Sequence, residues 1–348
     1  MSSFQASARH FHFLCAVILA VALVPLAHHA HLPLHFTWGL YFTTFYVVQF
    51  LESLILALVL GVVGYRAELW RAISHRGAKE NPLPALASII LPATYLFCVF
   101  ILIFSYNDLI AIFRFDGMMD AVQNRVDSWL MGGWTVADLS RHVGARAFSW
   151  LLAIYLGMFA QVGACLLIVA LREGRGRAWQ FVGAIATAYF IGLACFYFLP
   201  VTGPYYLANL NPHHGGYIGG AESRLAGMLA AIAAHRELPG VGLDYFVGFP
   251  CLHITQPLIV LWFLRKSRGA VALLASYDVI MIAAILLLQQ HYLVDLVGGV
   301  CVAILAVAIS DLSSAKISRG GENPKWKSCR FKPMNEYCAR NGQVEKAG

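Results

Sequence analysis

Charge is what this sequence has least of. Only 12% of its 348 residues are Asp, Glu, Lys or Arg, about half the share of an average soluble domain. Hydrophobic residues make up 59%, and the mean hydropathy is +0.66. A water-soluble globule cannot hide that much apolar surface, so an ordinary soluble fold and a disordered chain are both excluded. There is no internal repeat, no low-complexity tract and no Arg-rich soluble module. Zinc-protease His-Glu-x-x-His spacing, carboxylate clusters and the Gly-rich phosphate loop of nucleotide-binding proteins are also missing. Nor do the eight cysteines form a disulfide framework. Cys15, Cys98, Cys165, Cys195 and Cys301 lie in apolar runs, where a thiol behaves as a small hydrophobe. Cys329 and Cys338 are too far apart for a zinc pair.

What the sequence does have is long apolar runs. A membrane-spanning helix needs about 20 apolar residues. Eight stretches qualify or nearly do: 13–30, 39–64, 85–106, 148–171, 179–199, 250–264, 270–288 and 291–310. The sixth is short, with polar groups in its first turn. The first could be a signal peptide, but Ala27-His28-His29-Ala30 is a poor cleavage site, so a retained span is expected. The chain therefore reads as an all-α polytopic membrane protein of about eight transmembrane helices.

Basic residues orient it. Cytoplasmic loops carry an excess of Lys and Arg. Nineteen of the 25 lie on one set of alternate segments, namely the N-terminus, the short loops at 65–84, 172–178 and 265–269, and the tail 311–348. Both termini are expected in the cytoplasm. The two long loops, 107–147 and 200–248, then face the periplasm, lumen or exterior. The net charge of +7 is an orientation signal and implies no nucleic-acid partner.

The chemistry-bearing residues fall on the outer side. Phe249-Pro250-Cys251-Leu252-His253 opens the sixth span, and Gln290-His291-Tyr292-Leu293-Val294-Asp295 opens the eighth. Residues four apart share a helix face, so His291 and Asp295 can meet. A carboxylate on one imidazole nitrogen fixes the tautomer and raises the basicity of the other. His291 backed by Asp295 is then a candidate nucleophile, and His253 a candidate acid for the departing oxygen. That division suits phosphoryl transfer through a phosphohistidine. It calls for no metal and no cofactor, only a lipid-borne substrate reached from the bilayer. Exposed N–H groups at the start of the sixth span can bind an anion. A transporter or scaffold, with the histidines as proton relay or structural pair, is the alternative from another class.

These two motifs resemble the second and third signatures of the type-2 phosphatidic acid phosphatase superfamily, Pro-Ser-x-His and His-x-x-x-Asp. The resemblance implies a six-helix catalytic core over 85–310 with two additional N-terminal helices within 1–84; the polar, basic composition of 311–348 makes it a tail expected to be disordered. It implies that His291 is nucleophile, Asp295 its partner and His253 the acid. Cys251 stands at the serine that contacts phosphate. The Ser-Arg pair before the nucleophile and the Lys-rich first motif are absent; positions 284 and 285 are Ala and Ile. His-Tyr-x-x-Asp followed by Gly298-Gly299, the turn Pro200-Val201-Thr202-Gly203-Pro204-Tyr205-Tyr206 and Asp127-Ser128-Trp129-Leu130-Met131-Gly132 resemble the inositol phosphorylceramide synthase branch. That branch implies headgroup transfer to a sphingolipid; the wider family implies a lipid phosphate phosphatase. Gly203, Pro204 and Tyr205 are thereby candidate substrate contacts. Arg224 is the leading candidate for the missing phosphate cation, with His213 and His214 behind it. Tyr206 and Tyr217 suit a headgroup pocket or the membrane interface equally. The histidines at 28, 29, 31 and 35 are expected to be interfacial, and Glu52 and Asp278 to pair across helices.

Overall fold

The computed structural model describes residues 51–63, 89–100, 103, 119–204 and 248–320, with side chains to 312. Every regular element among them is a helix. In chain order these are α1 (Leu51–Val63) and α2 (Ile89–Phe100), α3 (Asp120–Leu130), α4 (Val136–Ser140), α5 (Ala145–Gly157), α6 (Phe159–Glu173), α7 (Arg175–Phe198), α8 (Leu252–Leu264), α9 (Arg268–Leu287) and α10 (Leu293–Gly320). The first expected span, the basic segment 65–84, most of the loop 200–248 and the tail beyond 320 lie outside the described residues; residues 311–320, expected in a disordered tail, instead continue α10.

Among the described residues four helical segments are long and apolar enough to cross a membrane: Ala145–Glu173 (α5 with α6), Arg175–Phe198, Arg268–Leu287 and Leu293–Leu312. Helices α1, α2 and α8 are shorter and equally apolar. On α9 and α10 Val279, Val297, Ile304 and Leu312 are more than half exposed. A stripe of that size is what a lipid-facing surface looks like, and water would penalise it. The protein is an integral membrane protein of helical architecture.

The core is built on α7 and α8. Helix α7 packs on α6, α8 and α10, and α8 in turn packs on α6, α9 and α10. Phe181, Ala184, Ile185 and Ala188 of α7 are buried against Ile259, Val260 and Phe263 of α8, and Val302, Ala303 and Ala306 of α10 complete the cluster. Small side chains let these helices approach closely, which is how membrane helices gain packing energy without a hydrophobic drive.

One span is interrupted. The hydroxyl of Tyr277, on α9, donates to the carbonyl of Ile154. That carbonyl would otherwise accept from Met158 N–H, which turns instead to Tyr155 O at 3.4 Å. A side chain inserted into the backbone ladder breaks a helix at that point, and here it divides α5 from α6. The break sits next to Phe159 and one turn from Tyr155, both of which face the site described below. The expected pairing of Glu52 with Asp278 is not formed. Asp278 instead accepts from Gln161 Nε2 at 2.7 Å, because α6 places an amide donor within reach of that carboxylate.

Helix α3 is inside out. Asp120, Gln123 and Asp127 are buried, while Val122, Val126, Trp129 and Leu130 are exposed, Trp129 to 80%. The spacing of three and four puts the polar residues on one face and the apolar residues on the other. The sequence reading left 107–147 as a loop. Its mixed composition hid an amphipathic helix with the polarity reversed. Thr135 and Asp138 form a capping box that starts α4, and Ser140 Oγ donates to Leu287 O at 2.8 Å. The segment is thus fastened to the end of α9.

Candidate active site

The three residues expected to carry the chemistry meet at one end of the bundle. His253 lies in the first turn of α8, His291 two residues before α10, and Asp295 in its first turn. His253 Nδ1 is 2.7 Å from His291 Nε2. His291 Nδ1 is 3.4 Å from Asp295 Oδ2. On the far side, His253 Nε2 is 2.9 Å from the hydroxyl of Tyr155. Residues from α5, α8 and α10 thus form one chain, Tyr155–His253–His291–Asp295. One assignment of protons satisfies every link. Tyr155 O–H donates to His253 Nε2, His253 Nδ1–H donates to His291 Nε2, and His291 Nδ1–H donates to Asp295. Imidazole tautomers are set by such partners. The result leaves His291 Nε2 as the basic lone pair, directed at a proton on His253.

Close helix contact brings the two histidines together. A Cβ on Gly299 would lie 2.3 Å from Cys251 O and 2.3 Å from Ile254 Cγ2. One on Gly298 would lie 2.6 Å from the Phe249 ring. Glycine at both positions lets α10 lie directly against the start of α8. Two hydrogen bonds hold the contact: Cys251 N–H to Asp295 O at 2.9 Å, and Thr255 Oγ1 to Gly299 O at 2.8 Å.

The buried face of α3 organises the rest. Asp127 accepts from the main-chain N–H of Leu293 at 2.6 Å and of Val294 at 3.0 Å. It therefore caps α10 from another helix, satisfying donors that a helix start leaves without partners. Asp120 accepts from Thr202 N, Thr202 Oγ1 and Gly203 N, the last at 2.9 Å. Its Oδ1 also takes the Tyr292 hydroxyl at 3.3 Å. The Gln123 side chain lies against Asp295. Burial pushes the carboxyls of Asp120 and Asp127 above their usual range, and the same hydrogen bonds pull back against it.

Placement of the substrate candidates is mixed. Cys251 is fully buried at the N-cap of α8 beside the histidine pair. Gly203 has φ 121, a conformation that favours glycine, and its N–H is engaged by Asp120 rather than turned to a ligand. Pro204 is buried next to it. Tyr205, Tyr206, Tyr217, His213, His214 and Arg224 lie outside the described residues, as do the histidines at 28–35. Ala284 and Ile285 are buried in the apolar cluster of α9. Among the described residues no Lys or Arg side chain contacts the His–His–Asp group. The start of α10 is already taken by carboxylates, and at the start of α8 the N–H groups of Cys251, Ile254 and Thr255 are engaged as well. Tyr155, Asp120, Gln123 and the capping action of Asp127 were missed by sequence reasoning. A polar stripe at 120, 123 and 127 was the available signal for three of them; Tyr155 gave none.

No curated protein and no solved structure matches the chain. The profile of the PAP2 superfamily matches residues 124–309, just over half of the sequence. The match begins within α3, so that it includes Asp127 but not Asp120 or Gln123, and it contains the turn at 200–204 and all three residues of the His–His–Asp group. Members of that superfamily are helical membrane phosphatases or phosphotransferases. On this match the chain belongs to the PAP2 superfamily.

Proposed function

We propose that the protein transfers or hydrolyses a lipid-linked phosphate through a phosphohistidine on His291, at the extracytoplasmic face of the membrane. The observation that carries this reading is His291 Nε2 directed at His253 Nδ1 across 2.7 Å, with Asp295 behind it. The lone pair of His291 Nε2 attacks phosphorus and an N–P bond forms. The P–O bond to the leaving alkoxide breaks, and His253 Nδ1 gives that oxygen its proton. In the second half, water or an alcohol gives a proton to His253 Nδ1 and attacks phosphorus. The N–P bond then breaks. Asp295 stabilises the imidazolium character that develops on His291.

Facing-side assignment rests on the positive-inside distribution. The site is at the end of the bundle opposite Arg172, Arg175, Arg177, Arg265, Lys266 and Arg268. Both termini are cytoplasmic in this reading, and the substrate reaches the site from the bilayer. The acceptor decides the name of the reaction. Water makes a lipid phosphate phosphatase of the phosphatidic acid type. A sphingolipid hydroxyl makes a headgroup transferase, which the His-Tyr-x-x-Asp and Pro-Val-Thr-Gly-Pro-Tyr motifs favour.

The test is a donor and acceptor screen with purified protein. Phosphatidylinositol plus ceramide is offered first, then phosphatidic acid alone. An inositol-bearing sphingolipid in the first supports transfer; phosphate only in the second supports hydrolysis. His291→Ala should abolish either product and prevent acid-labile, base-stable labelling from a labelled donor. His253→Ala should lower the rate by about 10²–10⁴, the range for general-acid loss. Full activity in both variants rejects the mechanism.

A further inference from the structure

The donor atoms of Cys251, His253 and His291 all lie within 4.8 Å of one another. We propose that they form a three-ligand site for a soft divalent cation such as Zn²⁺, occupied in competition with phosphate, so that the metal inhibits the reaction proposed above. The metal site stands on these residues whether or not that reaction is correct, whereas the inhibition rests on it.

Three features of the site support it. First, the donor set is thiolate plus two imidazoles, which suits zinc and its heavier congeners and leaves a fourth position open. Second, each histidine has its outward nitrogen engaged. His291 Nδ1 is held by Asp295 at 3.4 Å, and His253 Nε2 by the Tyr155 hydroxyl at 2.9 Å. Partners of that kind orient metal-binding imidazoles and raise their basicity. The nitrogens left over are the two that face each other. Third, Cys251 is buried at the N-cap of α8, where its sulfur faces the backbone N–H groups of His253 and Ile254, donors that a thiolate accepts from. Zinc bonds of about 2.0–2.3 Å place ligand atoms roughly 3.3–3.8 Å apart. The two nitrogens must part and the sulfur close in, each by roughly an ångström or less.

Protons balance simply. Cys251 loses its thiol proton to solvent. The proton on His253 Nδ1 moves to Nε2, where the Tyr155 oxygen accepts it after the hydroxyl turns. One proton is released for each metal bound. The metal then occupies the lone pair of His291 Nε2 that the nucleophile needs.

The test uses the full-length protein in detergent, freed of metal with a chelator and then titrated with Cd²⁺. Cadmium bound to thiolate gives an ultraviolet charge-transfer band. One equivalent should bind, and added Zn²⁺ should displace it. Cys251→Ser should remove the band, whereas replacing Cys15, Cys329 and Cys338 together should keep it. Asp295→Asn should weaken binding about 10–100-fold, a second variant that leaves the thiol in place. A band unchanged in Cys251→Ser overturns the proposal, as does unchanged affinity in Asp295→Asn. Phosphate release is measured in parallel, with chelator and with Zn²⁺. Release with chelator but no Cys251-dependent band rejects the metal site and keeps the reaction. A Cys251-dependent band without release in chelator keeps the metal site and rejects the reaction.

Discussion

The two ends of the helical bundle satisfy their charges in different ways. At the end remote from the histidines, opposite charges meet. Lys266 Nζ is 2.8 Å from Glu173, and Arg177 lies 3.8 Å from Glu173 and 3.9 Å from Asp311. These groups are partly exposed, and the Arg177 guanidinium also covers the Phe263 ring at 4.2 Å. At the histidine end Asp120, Asp127 and Asp295 are buried and their partners are main-chain N–H groups, the Thr202 and Tyr292 hydroxyls and the His291 imidazole. An ion pair in solvent needs no fixed geometry and contributes little. A buried carboxylate bonded to amides fixes the backbone that carries those amides. The first arrangement joins helix ends; the second sets the position of the histidines.

Substitutions that break the contrast should therefore have very unequal effects. The largest is expected for Gly299→Ala. Its new Cβ meets the Cys251 carbonyl and Ile254 at 2.3 Å, and backbone cannot yield as a flexible side chain does. Separation of α8 from α10 should lower stability by about 1–3 kcal/mol and remove activity by parting the histidines. Thermal melting in detergent and phosphate release check the two halves. Asp127→Ala comes next. It leaves two N–H groups at the start of α10 without their acceptor, a loss of about 1–2 kcal/mol, seen as a lower melting temperature with a fall in rate. Tyr155→Phe keeps the ring against His253 and removes only the hydroxyl. One hydrogen bond of about 1 kcal/mol corresponds to a rate reduced about fivefold, with the melting temperature nearly unchanged. Smallest of all is Lys266→Ala at the other end, where the lysine side chain is 63% exposed. Stability should change by less than about 0.5 kcal/mol and activity not at all. A large loss there, or none in Asp127→Ala, would erase the distinction between the ends.

The fold was legible to different depths along the chain. The expected stretches 148–171, 179–199, 250–264 and 270–288 are helical within a few residues of those limits, and the helix expected over 291–310 is present but runs on to Gly320, because long apolar runs have one solution in a membrane. The His–Asp pair was legible from its spacing of four. Helix α3 was not, since its polar residues face inward and mean composition cannot distinguish that from a solvated loop. The division of α5 from α6 was also invisible. It depends on the Tyr277 hydroxyl, more than a hundred residues away in sequence. Tyr155 escaped for the same reason: a tyrosine in an apolar run carries no sign of what its hydroxyl will meet.

By itself, then, the sequence determined the solvent of this protein, the candidates for its reactive side chains and the pairing of His291 with Asp295. Those follow from composition and from the period of a helix, both local properties of the chain. Tertiary structure decided that His253 faces His291, that Tyr155 completes the chain and that Asp127 caps a helix 166 residues further on. These are contacts between helices, set by where glycines permit close approach and where buried carboxylates find donors. No local pattern encodes that geometry.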